Sequence, residues 1–145
     1  MKKFLLSLAI LLSTVSVFAG EESVSPKVLS AFKTDFRAAK DVEWSVGQDF
    51  YKATFVYNQN HVFAYYNTEG ELMGLTRYIS QENLPLNLQT SLKKNYDNYW
   101  ISDLFEVAKS DGTSYVITLE KADSKLILRS TNGNEWNVFE KIRKS

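Results

Sequence analysis

The chain contains no cysteine among its 145 residues and only one histidine, His61. Without cysteine it cannot form a disulfide, a cysteine-based zinc site or an iron–sulfur cluster, and it has no thiol chemistry. A single histidine excludes any site that needs two imidazoles. Charge of one sign is not in excess either, because 17 Lys and Arg balance 17 Asp and Glu. With no basic surplus to hold a phosphate backbone, we expect no nucleic-acid partner.

Motifs for catalysis or phosphate binding are also missing. The sequence has no H-E-x-x-H, no G-x-S-x-G and no glycine-rich phosphate loop. A two-carboxylate hydrolase would need two acids at a set separation, which one sequence does not reveal. The acids on or beside predicted strands are Glu43, Asp103, Glu106 and Glu140. We therefore predict that the protein is not an enzyme and has no metal site and no cofactor.

The N-terminus is typical of a secretory signal peptide. Two lysines are followed by an apolar run from Phe4 to Val17, interrupted only by Ser and Thr. This run is shorter than the about 20 apolar residues of a membrane-spanning helix. We predict cleavage between Ala19 and Gly20, and the missing cysteine excludes a lipoprotein anchor. The mature chain would then be periplasmic or secreted, with no membrane anchor; a retained anchor helix is the alternative.

The remaining 126 residues suit one domain, here 20–145. Phe, Tyr and Trp together number 20 in the whole chain, and only Phe4 and Phe18 would leave with the signal peptide. Such an aromatic content, with only two prolines, favours a folded β-rich domain. Because no disulfide is available, the apolar core alone must stabilise it.

The first half of this domain is predicted to be a helix followed by four strands. Ser25 suits the N-cap position and Pro26 the first helical position. Apolar residues then recur at helical spacing, at Leu29, Phe32, Phe36 and Ala39. From residue 42 the period changes to two, which predicts antiparallel strands over about 42–46, 51–55, 61–66 and 72–79.

The second half repeats the order of the first. Pro85 precedes Leu88, Leu92 and Tyr96 at a spacing of four, and four strands follow near 101–109, 114–121, 125–131 and 135–142. A shift of 64 residues lays 51–66 over 115–130 without a gap. We therefore predict a tandem repeat, with units over about 25–80 and 83–143.

Two-residue turns at Asn58-Gln59 and Ala122-Asp123 would set the register of one hairpin in each half. The pairs then opposed on one face are all apolar: Phe55 with Val62, Ala53 with Ala64, Leu119 with Leu126, and Ile117 with Leu128. On the other face the same register opposes Glu120 to Lys125, a favourable charge pair. Neither turn has the preferred Asn-Gly sequence, which leaves the loop lengths open.

This pattern resembles the PepSY-like domains of exported proteins from Bacteroidetes-type bacteria, which are similar in fold to the β-lactamase inhibitor protein. The resemblance covers nearly all of the mature chain. It is carried by Val42-Glu43-Trp44, Phe50-Tyr51-Lys52-Ala53-Thr54-Phe55, Ala64-Tyr65-Tyr66-Asn67-Thr68-Glu69-Gly70 and Leu84-Pro85.

The resemblance implies an α+β fold: a tandem repeat of a helix plus four antiparallel strands, with both helices on one face of a continuous sheet and the other face open. It also implies a module that binds or inhibits enzymes outside the cytoplasm. The inhibitor protein carries disulfides, which this chain cannot form, so inhibition of a β-lactamase does not follow.

The open face supplies the candidate partner-binding residues. They are Lys52, Phe63, Tyr65, Ile127 and Arg129. Aromatic side chains on a solvent-facing strand surface are typical of protein interfaces. We therefore expect a binding module that docks a protein partner, as an inhibitor or modulator of an envelope enzyme. Three alternatives stay open. The protein could be a small-ligand carrier or scavenger whose aromatics line a cleft between sheet and helices or between two chains, the aromatics could serve packing alone, or a loop or a second copy of the chain, in a homodimer, could cover this face.

Overall fold

The computed structural model describes residues 17–145, so most of the predicted signal peptide, residues 1–16, lies outside the described part. The chain divides into two compact units, one ending at Leu75 and the other beginning at Thr76. None of the helices within 17–145 is long and apolar enough to cross a membrane.

Over residues 17–75 the first unit contains one α-helix and antiparallel strands that pair in chain order. Its elements are β1 (Val17–Ala19), α1 (Pro26–Asp35), β2 (Lys40–Val46), β3 (Tyr51–Tyr57) and β4 (Asn60–Tyr66). A single turn of 3₁₀-helix, Glu21–Ser23, leads into α1. The next strand, β5 (Leu72–Tyr78), begins in this unit and ends in the second.

The second unit also has one α-helix followed by antiparallel strands in chain order. Its elements are α2 (Leu86–Asn95), β6 (Trp100–Lys109), β7 (Gly112–Glu120), β8 (Ser124–Ser130) and β9 (Asn137–Arg143). Both units are therefore of the α+β class, as predicted.

Helix α1 begins as predicted but ends earlier than the apolar spacing indicates. The Ser25 Oγ accepts a hydrogen bond from the Val28 N–H at 3.3 Å, and Pro26 occupies the first helical position. The helix ends at Asp35, so Phe36 is its C-cap and Ala39 lies beyond it, although both still pack against the core. Val28, which the spacing did not select, is fully buried.

Phe32 lies at the centre of the first unit's core. Its ring centroid is 5.0 Å from that of Phe55 and 5.2 Å from that of Trp44, both in edge-to-face geometry. The buried Tyr66 lies 6.5 Å away, and its hydroxyl donates to Asp35 Oδ2 at 2.9 Å. Burial and this hydrogen bond raise the pKa of Tyr66 far above its ordinary value. The helix is thus held to β2, β3 and β4 by one aromatic cluster.

The core of the second unit is mainly aliphatic. Leu88 and Leu92 of α2 are buried against leucine and isoleucine side chains of β6, β7 and β8. Trp136 lies just before β9, and its indole N–H donates to the Leu88 carbonyl at 3.2 Å. That bond ties the last strand region to the helix.

The predicted hairpin registers are confirmed. Strand pairing opposes Phe55 to Val62 and Ala53 to Ala64, and in the second unit Leu119 to Leu126 and Ile117 to Leu128. Asn58 and Gln59 have φ values of 50° and 66°, which makes the first turn a two-residue type I′ turn despite its unusual sequence. The Lys121 N–H donates to the Ser124 carbonyl at 2.9 Å across the second turn.

The predicted opposition of Glu120 and Lys125 is present in the register, but the Glu120 carboxylate makes its ion pair elsewhere. Its Oε1 lies 3.0 Å from Lys144 Nζ. Hydrogen bonds from Ser102 and then Lys144 hold the pKa of Glu120 below its ordinary value. Lys144 follows β9, so it lies outside the hairpin from which the Glu120–Lys125 pair was predicted.

Candidate functional site

The candidate site of the first unit is the sheet surface opposite α1, which we call the open face. Ala53, Phe55, Ala64 and Tyr66 pack in the core with α1, so the residues between them point away from the helix. The open face of β3 and β4 therefore carries Lys52, Phe63 and Tyr65, as predicted, together with Thr54, Val56 and His61. The register places Lys52 opposite Tyr65 and Thr54 opposite Phe63.

Lys52 and the two aromatic rings form one cluster on this face. The Lys52 Nζ lies 4.8 Å from the Phe63 ring centroid and 5.9 Å from that of Tyr65. Burial of the ammonium group lowers the pKa of Lys52 below its ordinary value. A cation over an aromatic face is attracted by the ring quadrupole, which favours this arrangement of the three side chains.

The two aromatics differ in how far they reach solvent. Phe63 is half-buried, whereas Tyr65 is only 8% exposed, so the expectation that Tyr65 presents its ring to solvent is wrong. The cause lies outside the strands: Phe50, in the turn before β3, places its ring 6.0 Å from that of Tyr65. Ser45, opposite Lys52, is also buried on this side. Phe63 and Lys52 are thus the accessible part of the cluster.

The sheet surface opposite α2, in the second unit, carries the other two candidates. Thr118 lies opposite Ile127 and Val116 opposite Arg129 in the β7–β8 register. Ile127 is only 6% exposed, so the expectation that it faces a partner freely is wrong as well. Arg129 is half-buried, and its guanidinium carbon lies 5.9 Å from the Phe139 ring of β9. Phe139 was not selected from the sequence, although its alternation with Val138 and Glu140 placed it on one face.

A cleft lies between α1 and β2. The small-ligand alternative allowed for a cleft between sheet and helices, but the residues that line it were not predicted. The cleft has a volume of about 1050 Å³ and an apolar floor with charged residues at its rim. Lys33 Nζ lies 3.5 Å from Glu21 Oε1 at that rim. The lining, which we call the α1–β2 cleft, comprises Gly20, Glu21, Leu29, Phe32, Lys33, Phe36, Arg37, Ala39, Val42, Glu43 and Trp44. Phe36 and Ala39 continue the apolar helical spacing beyond the end of α1 at Asp35, and both line the cleft. This spacing was the feature of the sequence that could have indicated the cleft.

The structure shows the surroundings of two candidate acids, Glu106 and Glu43, and of the single histidine. Glu106 receives two hydrogen bonds from the Arg77 guanidinium, at 2.9 and 3.3 Å, and this pairing raises the pKa of Arg77. Glu43 lines the α1–β2 cleft, and His61 is exposed at the start of β4. Within residues 17–145 no group of three or more His, Asp or Glu side chains is arranged to hold a metal ion.

No family profile and no curated protein matches the sequence. Solved structures do match the fold. A BLIP-like protein from Bacteroides fragilis is 18% identical, with a TM-score of 0.69 over 83% of this chain and 86% of that one. A DUF2874 family protein from Bacteroides ovatus is 20% identical, with a TM-score of 0.73 over 83% and 87%.

A protein from Bacteroides eggerthii, provisionally described as periplasmic, is 16% identical, with a TM-score of 0.72 over 83% of this chain and 88% of that one. At such identities the likeness shows the fold alone. The chain therefore has a BLIP-like α+β fold, and its chemistry has to be argued from its own residues.

Proposed function

We propose that this chain, with its BLIP-like fold, is an exported, non-catalytic module that binds a protein partner on its open face and modulates an envelope enzyme. Its predicted signal peptide, residues 1–19, and the provisional periplasmic description of a structural neighbour support export. The helix–strand order common to the two units supports a PepSY-like tandem repeat. We place the mature protein, 20–145, in the periplasm or outside the cell.

The observation that carries the binding proposal is the pairing of Phe63 with Lys52 on the open face. Phe63 offers a rigid aromatic surface that is partly accessible, and the Lys52 ammonium lies 4.8 Å from its centroid. Such a ring loses little conformational entropy on binding, and it is already oriented. The adjoining positive charge suits a partner surface that combines an apolar side chain with a carboxylate.

Tyr65 and Ile127 take a different role in this proposal from the one predicted. Each is almost fully covered in the isolated chain, so truncating it would disturb packing before it disturbed an interface. We therefore assign direct partner contact to Lys52 and Phe63 in the first unit, and separately to Arg129 in the second.

The test is the Phe63→Ala variant in a quantitative capture experiment. The immobilised exported protein is offered an envelope extract, the captured protein is identified by mass spectrometry, and its affinity is then measured with purified components. Loss of a central aromatic contact should weaken binding about 30-fold. Because Phe63 is only half-buried, the free energy of unfolding should fall by no more than about 1 kcal/mol.

The matched control is Leu86→Ala, which removes an apolar side chain that is 77% exposed on α2 of the second unit. This variant should capture the partner as the unmodified protein does. Equal loss of capture in both variants, or unchanged capture by Phe63→Ala, would contradict docking on the open face.

A small-ligand carrier is the second candidate, and the α1–β2 cleft favours it. Its volume of about 1050 Å³ and its floor of Phe32, Phe36 and Trp44 suit a largely apolar small molecule. A ligand at 100 times its dissociation constant would stabilise the protein by about 2.7 kcal/mol. Thermal unfolding against a panel of apolar and sugar-like molecules should therefore show a raised midpoint for at least one of them.

Filling the cleft separates the two functions. Ala39→Phe places a ring among the lining residues and should abolish any such stabilisation while leaving partner capture intact. A panel in which no molecule raises the midpoint, beside successful capture of a protein, would eliminate the carrier.

A further inference from the structure

The outer edge of β2 is a second candidate binding surface, separate from the open face. We propose that the edge at residues 44–46 is a docking site for an extended, apolar segment of a partner protein, which adds to β2 as an antiparallel strand. The proposal rests on the proposed removal of residues 1–19, because β1 occupies this edge in the full chain.

The two halves of β2 differ in how well they could accept a new strand. In the first half Asp41 has a φ of 54°, and the register with β3 shifts between Lys40 and Glu43. Bulges and charged side chains are the devices by which edges avoid pairing. Residues 44–46, Trp-Ser-Val, keep a regular register with β3 and carry no charge. The protein therefore protects one half of this edge and leaves the other suited to pairing.

The chain's own N-terminal segment already uses the unprotected half. Val17 lies opposite Val46, Phe18 opposite Ser45 and Ala19 opposite Trp44. An uncharged, extended segment thus fits this edge in antiparallel register. Cleavage after Ala19 would remove that strand and expose the backbone groups it had paired.

The β3–β4 hairpin shows which backbone groups of β3 face β2. Because Asn58 and Gln59 form a two-residue turn, the flanking pair Tyr57 and Asn60 exchange hydrogen bonds with each other. Residues that bond to one neighbour alternate along a strand with residues that bond to the other. Lys52, five positions before Tyr57, therefore directs its N–H and C=O toward β2.

The same alternation identifies the free groups of β2. Ser45 lies opposite Lys52 and bonds to β3. Trp44 and Val46 therefore direct their N–H and C=O groups to the outer edge. An added strand would pair there through the two residues opposite them, while its middle residue, opposite Ser45, would point its N–H away.

The α1–β2 cleft lies along this edge and supplies selectivity for side chains. Trp44 belongs to its lining and faces α1, since its ring contacts Phe32. Residues opposite each other in an antiparallel ladder share a face of the sheet. The partner side chains opposite Trp44 and Val46 would therefore lie on the helix side, where apolar groups are favoured. Proline at either position would remove a required N–H.

The experiment uses the protein as a cell exports and processes it, with its N-terminus read from the intact mass. The probe is a synthetic, C-terminally amidated peptide of residues 13–19, Ser-Thr-Val-Ser-Val-Phe-Ala. Binding is followed by the backbone amide resonances and hydrogen exchange of the protein. We expect saturable binding, with new protection of the Trp44 and Val46 amides.

Methylation of single peptide nitrogens gives the matched controls. N-methylation at Val17 or at Ala19 removes an N–H that points to β2 and should weaken binding on the order of tenfold. N-methylation at Phe18 touches an N–H that points away and should change affinity by no more than about twofold. Equal affinities for the three methylated peptides, or no binding of the parent peptide, would overturn the proposal.

The outcomes also separate this site from the open face. An exported protein whose mass retains residues 17–19 would overturn the proposal, since β1 would then still fill the edge. If the Phe63→Ala variant still captures its protein partner while the peptide pattern holds, the open-face function fails and the edge site stands. If Phe63→Ala loses capture and the peptide does not bind at all, the open-face function stands and the edge site fails.

Discussion

Replacing Phe32 by alanine should lower the free energy of unfolding of the first unit by about 3–5 kcal/mol. Phe32 is 5% exposed, and its ring contacts Trp44 and Phe55 at 5.2 and 5.0 Å between centroids. The substitution leaves a cavity between α1 and three strands, and edge-to-face ring contacts are lost as well. With no cysteine in the chain, no disulfide limits the loss.

The measurement is a urea titration followed by NMR, so that resonances of each unit report separately. The control is the same change at Phe63, in the same unit but on the open face, where the loss should be no more than about 1 kcal/mol. A similar loss at both positions would show that Phe63 is a core residue, and a loss at Phe32 below about 1 kcal/mol would show that the aromatic cluster is not the centre of stability.

Leu88→Ala should destabilise the second unit by about 2–5 kcal/mol, whereas Leu86→Ala should change its stability by no more than about 0.5 kcal/mol. The two leucines lie two positions apart on α2, but Leu88 is fully buried and Leu86 is 77% exposed. Both variants replace leucine by alanine within the first turn of α2, so the difference between them reports the burial of Leu88.

Denaturation by urea at constant pH measures both free energies, and helix content by circular dichroism checks that α2 still forms. A difference between the two variants of less than about 1 kcal/mol would mean that α2 does not pack through Leu88. The Trp136 indole, which donates to the Leu88 carbonyl, should keep that bond in both variants because the substitution leaves the backbone unchanged.

Much of the local structure could be predicted because it depends on the spacing of apolar residues that are close along the chain. The change from a spacing of three and four to a spacing of two located α1 and β2. The apolar pairs of the hairpins determined their register, since a slip by one residue would turn Phe55 and Ala53 away from the core. The type I′ turn at Asn58-Gln59 followed from that register rather than from its own sequence.

The candidate site was predicted less completely, for a physical reason that Tyr65 and Ile127 illustrate. Alternation placed both on the correct face, but a face is exposed only if nothing else covers it. Phe50, in a turn, lies against Tyr65, and the periodicity of the strands contains no information about where a turn residue folds. The pairing of Glu120 with Lys144 instead of Lys125 has the same origin, because the nearer partner comes from a distant segment.

The sequence by itself determined the order of helices and strands, the hairpin registers, the face on which each strand residue lies and the absence of thiol chemistry. Each of these depends on residues that are close along the chain or on composition alone. Only the tertiary structure decided that Phe63 and Lys52 remain accessible while Tyr65 does not, that α1 and β2 enclose a cleft, and that β1 fills the edge at residues 44–46. Those features depend on side chains and backbone segments brought together by folding, and local periodicity does not record which distant groups will meet.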